Sequence, residues 1–151
     1  MNLDSRLSAA LHALLHMAQH DTPMTSEALA HCLGTNGAVV RRTMAGLRER
    51  GFVQSEKGHG GGWRFTRDLS AVTLRDVHEA LGSPRILALG HRNENPDCLV
   101  EQAVNAALTD TFREAEAMLV QRLGTVTLAA LAEDLRERLG ARSTAEVGRA
   151  A

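Results

Sequence analysis

Two short stretches hold most of the side chains able to bind or react. In the first, Asn36-Gly37-Ala38 is followed by Arg41 and Arg42. A guanidinium presents its N–H groups as a rigid fork that matches two phosphate oxygens or the O6 and N7 of guanine. The Asn36 amide can bond a base or a phosphate, although helix capping competes for it. Gly37 and Ala38 are small enough to let a backbone approach a duplex. In the second stretch, Lys57-Gly58-His59-Gly60-Gly61-Gly62 precedes Trp63 and Arg64. Its glycines leave backbone N–H groups open to phosphates or to a narrow minor groove, and Lys57, His59 and Arg64 add positive charge. The candidate DNA contacts are therefore Asn36, Gly37, Ala38, Arg41, Arg42, Lys57, Gly58, His59, Gly60 and Arg64. His59-Gly60-Gly61-Gly62 also resembles an oxyanion-hole stretch, but no Gly-x-Ser-x-Gly nucleophile elbow accompanies it. No Gly-Lys-Ser/Thr follows the glycines, so a phosphate-binding P-loop is excluded. We do not read the chain as an enzyme.

Three further groups could react. Cys98 stands at the expected start of a long helix, where the macrodipole lowers a thiol pKa, with Arg92 as a further aid. That makes it a candidate redox sensor, against the plain alternative of a packing residue. Cys32 reads as a core residue of a short helix. His12, His16 and His20 lie one turn apart on a helix face, so neighbours could share a metal. No cysteine or carboxylate clearly completes that set, and the sequence reading assigns no metal or cofactor.

The elements that must position these groups are legible from pattern. Residues 5–19 repeat apolar side chains at helical spacing, with Asp4 or Ser5 as the cap. Thr25 or Ser26 starts a second short helix that Gly34 ends. Asn36 or Thr35 caps a third, running to about Arg50, with Val40, Met44 and Leu47 inward. Residues 52–56 and 63–66 read as two strands of a hairpin with a glycine-rich tip. Thr73 caps a fourth helix that stops at Gly82. Residues 83–97, with Pro84 and Pro96, read as a loop. A helix of about 26 residues follows from Cys98, roughly 39 Å long. Thr127 caps a last helix to about Leu139, and the remaining tail reads as frayed.

Charge is distributed to match. The 151 residues carry a net −1. Residues 41–67 nevertheless hold seven Lys/Arg against two acids, a net +5. A basic segment on a mildly acidic protein implies a localised anionic partner. Two cysteines in total suit a reducing cytosol and exclude a disulfide framework. With no apolar run near 18 residues and no leader-like start, the expectation is a cytoplasmic protein that does not enter the membrane.

Two short helices joined by a tight glycine turn, the second rich in arginine and followed at once by a basic hairpin, have the order of a winged helix-turn-helix. From Asp4 to Gly82 the chain resembles the Rrf-two family of bacterial winged-helix regulators, among them the iron–sulfur cluster biogenesis regulator and the nitric-oxide-sensing repressor. The residues that carry this are SRLSAALHALLHMA, VVRRTMAGLRERGFVQSEKGHGGGW and VTLRDVHEALG, and the likeness continues more weakly to about Leu135. The resemblance implies a homodimer on a partly palindromic operator. Recognition would fall on Asn36 to Arg42, wing contacts on Lys57 to His59, and the long helix would cross its counterpart. Leu99/Val100, Ala103/Val104, Ala107/Leu108, Phe112, Ala115 and Met118/Leu119 form an apolar stripe long enough for that role. Cluster-binding relatives carry three cysteines in the loop before the long helix and at its start. Here GHRNENPDCLVEQAV supplies Cys98, His91 and Glu101, a poor set for a cluster.

The sequence therefore predicts a mainly α fold with a small β-hairpin: a winged helix-turn-helix domain over residues 1–82, a sensor-type loop over 83–97, dimerisation helices over 98–140 and a flexible tail over 141–151. The expected function is a sequence-specific, DNA-binding repressor acting as a homodimer on double-stranded operator DNA, answering to an oxidant or small-molecule signal without an iron–sulfur cluster. The competing reading is a winged-helix module for protein–protein contact without DNA.

Overall fold

The computed structural model describes residues 5–87, 90, 91, 93 and 97–149, with 143–149 described by backbone alone. Asp4 and Arg92, invoked above as a cap and as a charge beside Cys98, lie outside these residues.

Helix α1 (Arg6–Ala18) turns Ala10, Ala13, Leu14 and Met17 inward, the faces that its period placed there. Ser5 precedes it without a side-chain cap bond. Helix α2 (Ser26–Leu33) begins at Thr25, whose hydroxyl accepts the Ala28 N–H, and ends at Gly34 with φ of 63°. That left-handed conformation favours glycine and fixes the tight turn. Helix α3 (Gly37–Glu49) follows at once and buries Val40, Met44 and Leu47. Strands β1 (Val53–Glu56) and β2 (Gly62–Phe65) pair antiparallel, with Val53 opposite Phe65 and Glu56 opposite Gly62. A 3-10 turn at Leu69–Ala71 leads to helix α4 (Leu74–Ala80). Its capping box is complete: Thr73 Oγ1 accepts from Asp76 N–H, and the Asp76 carboxylate accepts from Thr73 N–H.

The core gathers Leu14, Leu29, Met44, Leu47, Val53, Val72 and Val77 under one roof. Each such side chain, fully buried, contributes roughly 1.5–3 kcal/mol of transfer free energy. Helices α3 and α4 cross at Gly46, where a Cβ would stand 2.7 Å from the Ala80 carbonyl oxygen. Only glycine permits that approach.

Helix α5 (Leu99–Leu123) leaves this body, and α6 (Leu128–Arg149) returns to it. The return is anchored by backbone. Leu74 N–H donates to Val126 O and Leu128 N–H to Val72 O, both at 2.9 Å, and the Leu128 side chain is fully buried in the core. Two details differ from the sequence expectation. The last helix does not stop near Leu139 but runs to Arg149. Gly140 costs about 1 kcal/mol relative to alanine, yet no proline interrupts the segment and Ala, Arg and Glu favour the helix. Residues 150 and 151 lie outside the described set. Cys32, expected near the core, is exposed. The inward positions of the eight-residue α2 are Ser26, Leu29 and Ala30, and Cys32 falls on the opposite side.

Candidate nucleic-acid interface

The first turn of α3 is where the basic segment meets solvent. Asn36 Oδ1 accepts the Val39 N–H at 3.1 Å, so its oxygen serves the cap while its amide N–H groups stay available. Gly37 has a second reason to be glycine. A Cβ there would stand 3.0 Å from Arg41 Nη1 and 3.2 Å from Glu27 Oε1. The missing side chain leaves room for Arg41 to reach α2, where it meets Glu27 at 3.4 Å. Both partners are mostly exposed, 57% and 76%, so this pair is worth at most about 1 kcal/mol and yields readily to a phosphate or a base. Arg42, also exposed, leaves the helix on another side and borders a cleft shared with Arg6, Gly46 and Ala80. Arg42 shares its cleft with the exposed Val39, while Arg41 turns toward α2.

The hairpin tip divides into two kinds of glycine. Gly58 and Gly60 have φ of 93° and 77° and nothing within 4 Å of a would-be Cβ, so they give the turn its shape and leave open space. Gly61 and Gly62 serve the protein instead. A Cβ on Gly61 would collide with the Glu56 carbonyl, and one on Gly62 would stand 2.5 Å from Met24 O. Of the four glycines read as open to phosphate, two are therefore spent on packing. Lys57 and His59 are exposed at the tip. Arg64 is not free in the same way. Its Nε donates to Glu56 at 2.9 Å and its Nη1 to the Asp21 carbonyl at 2.6 Å, which makes it a strut between hairpin and body.

A further anchor was not foreseen. Met24 and Trp63 exchange two backbone hydrogen bonds, at 2.9 and 2.8 Å, and the Trp63 indole N–H donates to Ser26 Oγ at 3.0 Å. The opening turn of α2 therefore holds both parts of the interface. Ser26 receives the hairpin and Glu27 receives Arg41. Residues 63–66 read as a strand from sequence, but no local signal links Met24 to Trp63 across 39 positions.

The loop before α5 and its first turn are polar. Cys98 is exposed and takes the N-cap position. Backbone N–H groups of Glu101 and Val100, in that order, pull its thiol pKa below the ordinary 9.0. His91 Nε2–H donates to Thr109 Oγ1 at 2.8 Å, because that hydroxyl is itself donating to Asn105 O. The other ring nitrogen, Nδ1, is buried without a hydrogen-bond partner. Along α5, Leu99, Val100, Val104 and Met118 are 50–78% exposed, and no residue of the helix is buried. Among the described residues nothing covers this apolar face.

These features accompany clear likenesses. The Rrf2 (Rrf-two) family model, described as "Iron-dependent Transcriptional regulator", matches residues 3–134. An HTH-type transcriptional regulator of Bacillus subtilis, YwnA, is 29% identical over 126 residues, covering 83% of this chain and 93% of that protein. A transcriptional regulator from Lactobacillus plantarum has a similar structure, with a TM-score of 0.73, 24% identity, and 87% of this chain and 90% of that chain covered. The T. potens protein IscR follows the same fold at a TM-score of 0.66 and 18% identity, with 91% and 90% covered. The family description raises iron, and the donors present bear on it. The chain has two cysteines, and Cys32 sits on α2, within the helix-turn-helix. Near Cys98, His91 can offer only its Nδ1, since its Nε2–H is given to Thr109. An iron–sulfur cluster takes three or four thiolate or imidazole ligands, and this set does not fit one.

Proposed function

We propose, from the premise that the chain belongs to the Rrf2 family of transcriptional regulators, that it represses transcription as a homodimer seated on a two-fold operator. The observation that carries this is the double anchorage on α2: one turn of helix holds both Arg41 at the head of α3 and the base of the basic hairpin. Helix α3 enters the major groove with Gly37, Ala38, Arg41 and the Asn36 amide at the bases, and Arg42 at the backbone. The tip residues Lys57, Gly58, His59 and Gly60 contact phosphates or the minor groove. Arg64 fixes the hairpin's angle and reaches DNA only by leaving Glu56. The exposed apolar face of α5 packs against its counterpart, placing the two copies of α3 about 34 Å apart, one turn of duplex. Affinity comes mainly from counterion release and sequence choice from α3. The signal enters at the exposed thiol of Cys98: a peroxide oxidises the thiolate to a sulfenic acid and leaves as water, a small thiol can then displace water from it to give a mixed disulfide, and either product changes the start of the dimer helix.

The test is fluorescence anisotropy on an operator selected with the purified dimer. Arg41→Ala is expected to weaken binding by about 5–150-fold and relax base choice at one position. Lys57→Ala is expected to weaken all sequences alike and reduce the salt slope by about 1. Unchanged affinity in both variants overturns the docking. Cys98→Ser is expected to keep DNA binding and lose the response to oxidant.

A further inference from the structure

Helix α1 carries His12, His16 and His20 one turn apart. The Nε2 atoms of His12 and His16 stand 3.0 Å from each other, with ring centroids 4.8 Å apart and planes tilted by 33°. Without another partner, one Nε2–H donates to the other nitrogen. The same separation is a metal bite. Two nitrogens about 2.1 Å from one ion and at right angles to each other are about 3.0 Å apart, whereas a tetrahedral angle spreads them to about 3.4 Å. His16 is half-buried at this point of the helix. An ion takes both Nε2 lone pairs, so the proton shared between the two rings is displaced when it binds.

The pair borders a groove of about 390 Å³ between α1 and α6, with an apolar wall from Leu15, Leu131 and Leu135. Across it on α6 stands Asp134, which accepts from Arg138 Nε at 2.7 Å. That ion pair is exposed, so exchanging the guanidinium for a divalent cation costs little. As placed, no three His, Cys, Asp or Glu side chains converge among the described residues. Asp134 must leave Arg138 to join.

We propose that His12 and His16 of α1 bind a first-row divalent transition ion, with Asp134 of α6 leaving Arg138 to become the third ligand and water filling the rest. Two imidazoles, one carboxylate and a right-angled bite favour a six-coordinate ion of the Fe²⁺, Co²⁺ or Ni²⁺ class over tetrahedral Zn²⁺. The ion would staple α1, part of the core, to α6. Cys98 supplies no donor to it.

The experiment is calorimetric titration of the full chain with Ni²⁺ alone at about pH 7.5, supported by the visible spectrum with Co²⁺. We expect one ion per chain in the wild type and in Cys98→Ser, an affinity at least about 10-fold lower in His12→Ala and His16→Ala, and weak d–d bands of six-coordinate Co²⁺. Asp134→Asn should weaken binding less than either histidine variant but measurably. Far-UV circular dichroism checks that the variants, at exposed positions apart from the half-buried His16, remain folded. Wild-type affinity no greater than that of the His12→Ala/His16→Ala double variant overturns the site, as does binding lost in Cys98→Ser. An Asp134→Asn variant that binds like wild type overturns the third ligand, and intense tetrahedral Co²⁺ bands overturn the six-coordinate assignment.

Discussion

Gly62→Ala tests the docking of the hairpin most directly. The added Cβ would lie 2.5 Å from Met24 O, 2.6 Å from Met24 C and 3.0 Å from Thr25 N, all backbone atoms. Restoring an ordinary 3.4 Å contact means moving β2 outward by about 0.9 Å. The Trp63 N–H to Met24 O bond would then stretch from 2.8 Å to about 3.7 Å, beyond hydrogen-bonding range. The reciprocal bond from Met24 N–H and the indole bond to Ser26 move with it. Each is worth about 0.5–1.5 kcal/mol net, and φ of 151° adds strain for any L side chain. We expect a total loss of about 2–4 kcal/mol, read as a shift in the urea midpoint by circular dichroism at constant m. Gly60→Ala is the control. Its φ of 77° carries backbone strain of about 1 kcal/mol, and nothing lies within 4 Å of the new methyl. If Gly62→Ala loses no more stability than Gly60→Ala, the Met24–Trp63 contact does not hold the hairpin as described.

Three other outcomes follow from the geometry. The pKa of His16 is lower in the folded chain than in the unfolded one, so the folded state binds fewer protons between the two values. Its contribution is fully present above about pH 6.5 and lost as pH falls through the folded value, with His12 and His20 on α1 and Asp134 and Arg138 on α6 around it. His16→Gln should flatten the dependence of the urea midpoint between about pH 7.5 and 5, and an unchanged slope refutes that assignment. Alkylation of Cys98 by iodoacetamide should be half-maximal below pH 9.0, and removing the lesser of its two backbone donors by Val100→Pro should move that midpoint part of the way up. Val104→Glu with Leu108→Glu on the exposed face of α5 should convert a dimer in sedimentation to a monomer with little change in the circular dichroism of the winged domain.

Much of the winged domain was legible because its signals are local. Thr25, Asn36 and Thr73 each cap the helix that follows, Gly34 takes the left-handed turn, and the 3.6-residue period of α1 and α3 names their buried faces. The hairpin showed in alternation plus glycine. What escaped sequence reading depends on distant partners. Arg64 looked like a DNA contact because its charge is visible and its ties to Asp21 O and Glu56 are not. Gly61 and Gly62 looked like phosphate-binding glycines because nothing local records the backbone they would strike. Cys32 was assigned inward from residue type alone, while an eight-residue helix has too few turns for its period to decide. The extent of α6 was underestimated because the tail after Leu139 was read as frayed, although Gly140 costs no more than about 1 kcal/mol and no proline follows it.

Trp63 is the only tryptophan in the chain, and it stands where the hairpin meets α2. Its indole is bonded to a serine and half-sheltered, so its emission wavelength and quenching report that single junction without any label. The molecule thus carries an intrinsic optical gauge of whether its basic ribbon is seated or lifted, readable during titration with nucleic acid, oxidant or metal in one cuvette.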